Sequence, residues 1–144
     1  MMRAVGVAAT LAATLGGAAA FGAEPRPEAP QASLLLFVAS WCAPCYGELR
    51  ALPDIARAAG PLRTLVVPID ARRQTERMVA GIPADRLLRL EPNKAVALMR
   101  AAAGIAPGLP TAAMTDASGQ TCAVHRRPLT AAAVAAMRAA CAGR

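Results

Sequence analysis

Aromatic side chains and histidine are scarce in this 144-residue chain, which has two phenylalanines, one tyrosine, one tryptophan and one histidine. That scarcity weighs against a nucleic-acid surface, which gathers basic residues on one face with aromatics between them for bases to stack on. The basic residues are spread from Arg26 to Arg144, and beyond the first 30 positions only Phe37, Trp41 and Tyr46 are aromatic. The formal charge of +7, nearly all from arginine, therefore reads as a solvated basic surface with a bias toward acidic partners. The near absence of histidine weighs against zinc. Tetrahedral zinc takes four ligands, and Cys122, Cys141 and the lone His125 repeat neither a Cys-x-x-Cys nor a His-pair spacing. His125 reads as a surface histidine at a strand end rather than a ligand or base. Met78, Met99, Met114 and Met137 are isolated from one another, so no methionine-rich copper cluster is present. No internal repeat is visible, nor any low-complexity tract beyond a richness in alanine.

Long apolar runs are few as well. One spans Ala4 to Ala20, after the positive start Met1-Met2-Arg3 and before Phe21-Gly22-Ala23-Glu24. A basic start, an apolar middle and small residues before a break are the parts of a secretory signal peptide, here residues 1–23 with cleavage near Ala20 to Ala23. The alternative is an uncleaved anchor through residues 4–20. It is the poorer reading, because Gly6, Thr10, Thr14, Gly16 and Gly17 dilute a span that needs about 20 apolar residues. No cysteine lies near the cleavage region, so a lipid anchor is unsupported. The expected location is periplasmic or otherwise exported.

Without residues 1–23 the chain keeps 15 basic against 9 acidic residues and about 121 positions in all, which is room for one small domain. Glu24 to Pro30 has three prolines in seven residues and reads as an extended linker, with the folded domain over 31–144. Hydrophobic residues make up 56% of the chain, but many are alanines that fill little volume. The core must then lean on Leu34 to Val38, Leu65 to Ile69 and Leu87 to Leu90.

Leu34 to Ala39 is a continuous apolar run, the pattern of a central strand covered on both faces. From Ala43 to Ala59 the residues Leu49, Leu52, Ile55 and Ala56 recur at helical spacing, with Pro53 a kink and Gly60-Pro61 a stop. Leu62 to Asp70 reads as a second strand whose Pro68 demands a bulge or a missing ladder bond. A helix over Arg72 to Ala80, a short strand over Arg86 to Leu90 and a helix over Asn93 to Ala103 follow, the last closed by Gly104. This alternation favours a parallel βαβ core. Thr111 to Thr115 and Gln120 to His125 flank the turn residues Asp116-Ala117-Ser118-Gly119 and read as an antiparallel hairpin. Thr130 caps a closing helix over Ala131 to Ala142.

Against that frame the sequence Trp41-Cys42-Ala43-Pro44-Cys45 falls where the first strand turns into a helix. A Cys-x-x-Cys pair binds metal, forms a static bridge or runs exchange chemistry, and its placement favours the third. The unpaired N–H groups and positive dipole end of a helix N-terminus stabilise a thiolate, which makes Cys42 the candidate nucleophile. Two intervening residues put Cys45 within bonding reach as the candidate resolving thiol. Pro44 fixes the backbone inside the loop, and Trp41 supplies an apolar wall before the reactive sulfur.

These residues resemble the thioredoxin superfamily, and more closely the exported TlpA/ResA-like thiol-disulfide oxidoreductases. Three blocks carry the likeness: Phe37 to Glu48 around the dithiol, Leu87 to Asn93 leading into a helix, and Gly104 to Thr111 followed by Asp116 to Gly119. The resemblance implies an α/β thioredoxin-like fold, a central mixed sheet flanked by helices, with a strand and helix inserted before a cis-proline loop. It implies that Leu109-Pro110 is cis beside the dithiol, where the Leu109 backbone edge can pair with an extended substrate. Glu48, three residues beyond Cys45 and close to one helical turn away, can bring its carboxylate toward the resolving sulfur as a proton-transfer group, a reading the same likeness favours; the alternative is a solvated helix residue. Leu36 departs from the family, in which cytoplasmic thioredoxins carry a buried aspartate and many relatives of this branch a polar residue.

Cys122 and Cys141 can lie side by side, because a strand running forward to about Arg127 and a helix returning from Thr130 both cover about 16 Å. A structural disulfide is the favoured reading over two buried free thiols or a second redox centre. The expected function is a periplasmic protein-disulfide reductase, with cytochrome c maturation as the pathway that the likeness suggests. Its partners would be cysteine-containing protein substrates and a membrane-bound electron donor, with no cofactor and no metal. The alternatives are a disulfide oxidase or isomerase, a copper carrier using the Cys42 and Cys45 thiolates, and an interaction domain with inert cysteines.

Overall fold

A computed structural model of the chain describes residues 28–104 and 108–143. The expected signal segment, linker residues 24–27 and positions 105–107 lie outside the described residues.

Strand β1 (Ser33–Val38) is buried at every position. Its alternating side chains serve two cores, as a run of apolar residues on both pleat faces requires. Leu34, Leu36 and Val38 pack with Leu52, Ile55, Val134 and Met137, whereas Leu35, Phe37 and Ala39 pack with Ala95, Leu98, Met99 and Ala102. Strand β2 (Arg63–Pro68) runs parallel to β1, and strands β3 (Thr111–Thr115) and β4 (Thr121–His125) form the antiparallel hairpin. β3 is antiparallel to β1, so the sheet is mixed, in the order β2-β1-β3-β4.

Helices α1 (Ala43–Arg50), α2 (Leu52–Ala59) and α5 (Ala131–Ala142) supply the first core, and α4 (Pro92–Ala103) supplies the second. Helix α3 (Arg73–Val79) adds Val79 to the first. The Thr130 hydroxyl accepts from the Ala133 amide at 3.2 Å, capping α5 as its sequence suggests. In the hairpin turn, Asp116 Oδ1 accepts from the Ser118 hydroxyl and from the Ser118 and Gln120 amides, and these bonds hold its carboxyl below the ordinary range. Gly119 closes the turn at φ +83°, and an added Cβ would stand 2.9 Å from the Ala29 carbonyl, so a side chain is excluded there.

Three expectations need correction. The segment from Ala43 to Ala59 is two helices broken at Ala51, not one kinked helix, because Pro53 lacks the N–H and crowds the carbonyl four residues back. Pro68 makes no bulge: it closes β2 opposite Val38, and the Ile69 amide takes the Val38 carbonyl at 3.0 Å. The stretch from Arg86 to Leu90 forms one parallel bridge, Leu87 to Val66, with Leu88 N–H donating to the Val66 carbonyl at 2.9 Å. It is pinched between a 3-10 turn at Ala84–Arg86 and the proline that opens α4, which leaves no length for a ladder. At the start of the described residues, the Thr115 hydroxyl donates to the Pro30 carbonyl at 2.6 Å.

Candidate active site

The parallel pairing of β1 and β2 and the antiparallel pairing of β1 and β3 bring three connections to one end of the sheet. β1 ends at Val38 beside Pro68, and Phe37 pairs with Thr111, the residue after Pro110. The chain leaving β1, the chain leaving β2 and the chain entering β3 therefore meet where α1 begins.

Cys42 is the N-cap of α1, with extended backbone (φ −91°, ψ 94°) and no side-chain cap, and Pro44 stands in the first turn. Proline is suited to that position because its missing N–H has no partner there in any helix. Cys42 and Cys45 are joined as a disulfide with a Cα–Cα separation of 5.4 Å. Neither cysteine offers much surface, at 4% exposed for Cys42 and 0% for Cys45, whose sulfur lies 3.9 Å from the Phe37 carbonyl. The residues around them are open: Trp41 is 54% exposed and Tyr46 39%. Pro44 is exposed too. Leu109-Pro110 is cis, and Leu109 packs against both cores.

Glu48 is buried on α1, and its Oε1 accepts from the Leu129 amide at 2.7 Å. The bond crosses to the connection between β4 and α5. Leu36 is buried in the core that contains Cys45, so Glu48 is the one buried carboxylate among the described residues. Burial pushes its carboxyl above the ordinary glutamate range, and the Leu129 N–H offsets part of that rise. The folded state thus holds the proton more tightly than the unfolded chain. This contribution to stability is complete below the ordinary glutamate value of about 4.5 and is lost as pH rises through the higher folded value. A denaturant series from pH 4 to 8 should show the wild type losing stability over that window and Glu48→Gln lacking this part of the slope. An unchanged slope would mean that Glu48 is not held protonated by burial.

Three polar residues near the dithiol escaped the reading of the sequence. The Trp41 indole Nε1 donates to Asp70 Oδ2 at 3.1 Å, and the Ser40 amide donates to Thr75 Oγ1 at 2.9 Å. The signal for them was available: parallel pairing of the first two strands places the residues after Pro68 beside those after Val38. Cys122 and Cys141 lie apart from this site, linked as a second disulfide with a Cα–Cα distance of 5.0 Å between β4 and α5. His125, the last residue of β4, pairs with Ala112 of β3. Among the described residues no group of three or more acidic, histidine or cysteine side chains is placed to hold a metal, and no helix is long and apolar enough to cross a membrane.

The fold, a mixed four-stranded sheet flanked by helices, is shared with solved structures. The MTB DsbF protein superposes with a TM-score of 0.57 at 20% identity, over 77% of this chain and 82% of that one. A thiol:disulfide interchange protein of the thioredoxin family from Chlorobium tepidum gives 0.54 at 23% identity, over 74% and 77%. The exposed lipoprotein thioredoxin Etrx1 of Streptococcus pneumoniae gives 0.53 at 23% identity, over 79% and 87%. This is the thioredoxin-like fold. No protein-family model and no curated protein matches the chain. Within the thioredoxin-like fold, the β1–α1 junction, the β2–α3 connection and the Leu109-Pro110 approach to β3 converge on the dithiol's end of the sheet, and α5, tied to β4 by the second disulfide, packs into the first core.

Proposed function

We propose that the protein exchanges thiols and disulfides with other proteins and acts as their reductase in an exported, periplasmic compartment. The observation that carries this reading is Cys42 at the opening of α1, bonded to Cys45 one helical turn on and flanked by exposed Trp41 and Pro44. In the reduced protein, the first-turn N–H groups favour a thiolate at Cys42. That thiolate attacks one sulfur of a substrate disulfide, breaking the S–S bond. The other substrate sulfur leaves as a thiolate and takes a proton from solvent. Cys45 then attacks the Cys42 sulfur, releasing the second substrate thiol and closing the Cys42–Cys45 disulfide. Two electrons pass to the substrate, and a membrane-bound electron carrier restores the dithiol. The Leu109 backbone is the docking edge for an extended substrate segment. Cytochrome c maturation is the pathway such a reductase would serve.

Redox direction is testable through the reduction potential of the pair, measured against glutathione, together with insulin reduction. A potential near thioredoxin's, about −270 mV, with insulin turnover is the expected result. A potential near about −120 mV would make the protein an oxidase.

A further inference from the structure

The strand that begins beside the dithiol, β3, is antiparallel to β4, and His125 at the end of β4 lies opposite Ala112. The connection from β4 to α5 therefore leaves the sheet at the dithiol end, as do those that follow β1 and β2. Arg72 and Arg73 follow β2, and Arg126 and Arg127 follow β4, against a single acidic residue in these connections, Asp70. The hairpin turn at the far end carries Asp116 and no basic residue. All four arginines are exposed. The Arg72 Nε stands 3.7 Å from Asp70 Oδ2, and Arg126 donates to the Ala103 carbonyl. Arg73 and Arg127 take part in no ion pair among the described residues. Two bonds fix where the arginines stand. The Ser40 amide donates to Thr75 Oγ1 at 2.9 Å, which seats the first turn of α3 against the turn before Cys42. The Leu129 amide donates to Glu48 at 2.7 Å, which seats the β4–α5 connection against α1.

In the sheet order β2-β1-β3-β4 the dithiol follows β1, so one arginine pair stands on each side of it. Three strand spacings of about 4.8 Å put the two sides about 14 Å apart. An extended chain advances about 3.3 Å per residue and covers that distance in about four residues. Residues two before and two after a cysteine also share its face in such a chain. Arginine suits a carboxylate, because its planar fork can bond both oxygens at once. We infer that the dithiol face selects protein disulfides whose cysteine has an acidic side chain two positions before it and another two positions after it, with Arg73 and Arg127 as the specificity residues. This selectivity rests on the exchange reaction proposed above and names its substrates by charge.

The probes are peptides Glu-Ala-Cys-Ala-Glu, Gln-Ala-Cys-Ala-Gln and Lys-Ala-Cys-Ala-Lys, each held as a mixed disulfide with mercaptoethanol and mixed with the reduced protein. Cys42 attacks the peptide sulfur and mercaptoethanol leaves; Cys45 then releases the peptide thiol, whose rate of appearance is read. At an ionic strength of about 10 mM the Glu peptide should react about tenfold faster than the Gln peptide, and the Lys peptide about tenfold slower. At about 1 M salt, where screening acts within about 3 Å, the three should agree within about twofold. Arg73→Gln and Arg127→Gln should each cut the Glu-over-Gln preference about threefold, and together they should abolish it. Arg73→Glu with Arg127→Glu should make the Lys peptide the fastest. Arg63 and Arg86 line one cleft at the start of β2, at the far end of the sheet, so Arg63→Gln with Arg86→Gln should leave the preference in place. Equal rates for the Glu and Gln peptides at low salt overturn the selectivity. So does an equal loss in the far-end variant, which would mark net charge alone, and so does an equal preference for Ala-Glu-Cys-Glu-Ala, which would break the spacing. Flat peptide rates with binding to phosphatidylglycerol vesicles through Arg73 and Arg127 also overturn it, marking a lipid surface instead. A wild-type protein that reduces none of the peptides overturns the exchange reading. The face is then judged by the single tryptophan, Trp41: a fluorescence change with Glu-Ala-Ser-Ala-Glu and none with Gln-Ala-Ser-Ala-Gln upholds the acidic preference, and no change with either overturns it.

Discussion

Cys42→Ser should keep its fold and lose at least about a thousandfold of its protein-disulfide reduction, because a hydroxyl at that place is not ionised near neutral pH and cannot attack sulfur. Serine nearly matches cysteine in volume and can cap α1, so the loss would be chemical rather than structural. Cys45→Ser should behave differently. Both sulfurs border the first core, but Cys45 is fully buried against the Phe37 carbonyl, whereas Cys42 keeps 4% of its surface at the helix mouth between exposed neighbours. A substrate therefore reaches Cys42 first. With Cys45 gone, the mixed disulfide at Cys42 has no internal attacker and should accumulate, visible as a heavier species on a non-reducing gel and by mass spectrometry. Cys42→Ser should trap none. If Cys42→Ser retains a tenth of the activity, or if the adduct forms in that variant and not in Cys45→Ser, the assignment of the two sulfurs fails.

The legible parts of this fold were those set by neighbours in sequence. The uninterrupted apolar run from Leu34 announced a strand covered on both faces, the turn residues Asp116 to Gly119 announced the hairpin, and Thr130 announced the start of α5. Cys42 and Cys45 were legible for the same reason, since a strand-to-helix junction is a local feature. What escaped was long in range. Glu48 is bonded to an amide 81 positions away, and its partner follows from the packing of α5 rather than from any motif near α1. Thr75 and Ser40 are 35 positions apart and meet only because β1 and β2 are parallel neighbours. The split of the first long helix was a matter of degree. Pro53 predicts a kink, but a kink and a break differ by how the flanking carbonyls find donors. Ala51 resolves that by leaving helical geometry while its carbonyl accepts from Asp54 and Ile55.

Removing the second disulfide with Cys122→Ser and Cys141→Ser together should cost about 3 kcal/mol and lower the melting temperature by about 10–15 °C for a domain of this size. The bridge closes a loop of sequence separation 19, and the loss of loop-closure entropy in the unfolded chain supplies that figure. Helix α5 explains why so much rests on it. Its 12 residues are mostly alanine, and only Val134 and Met137 are buried, so its own packing is thin. Two polar ties assist: the Thr130 cap at its start, and the Arg138 guanidinium donating to the Ala58 carbonyl at 3.2 Å near the end of α2. Each is worth about 1 kcal/mol. The bridge sits near the far end of the helix, anchoring it to β4. Helix α5 also follows Leu129, whose amide donates to the Glu48 carboxylate of α1. The double variant should therefore show its weakest amide-exchange protection in α5 and in the Leu129 connection, with β1 and β2 still protected. Its redox pair should keep its potential, because Cys42 and Cys45 are held by α1 and β1. A melting temperature within about 2 °C of wild type under non-reducing conditions would show that α5 is held by packing alone.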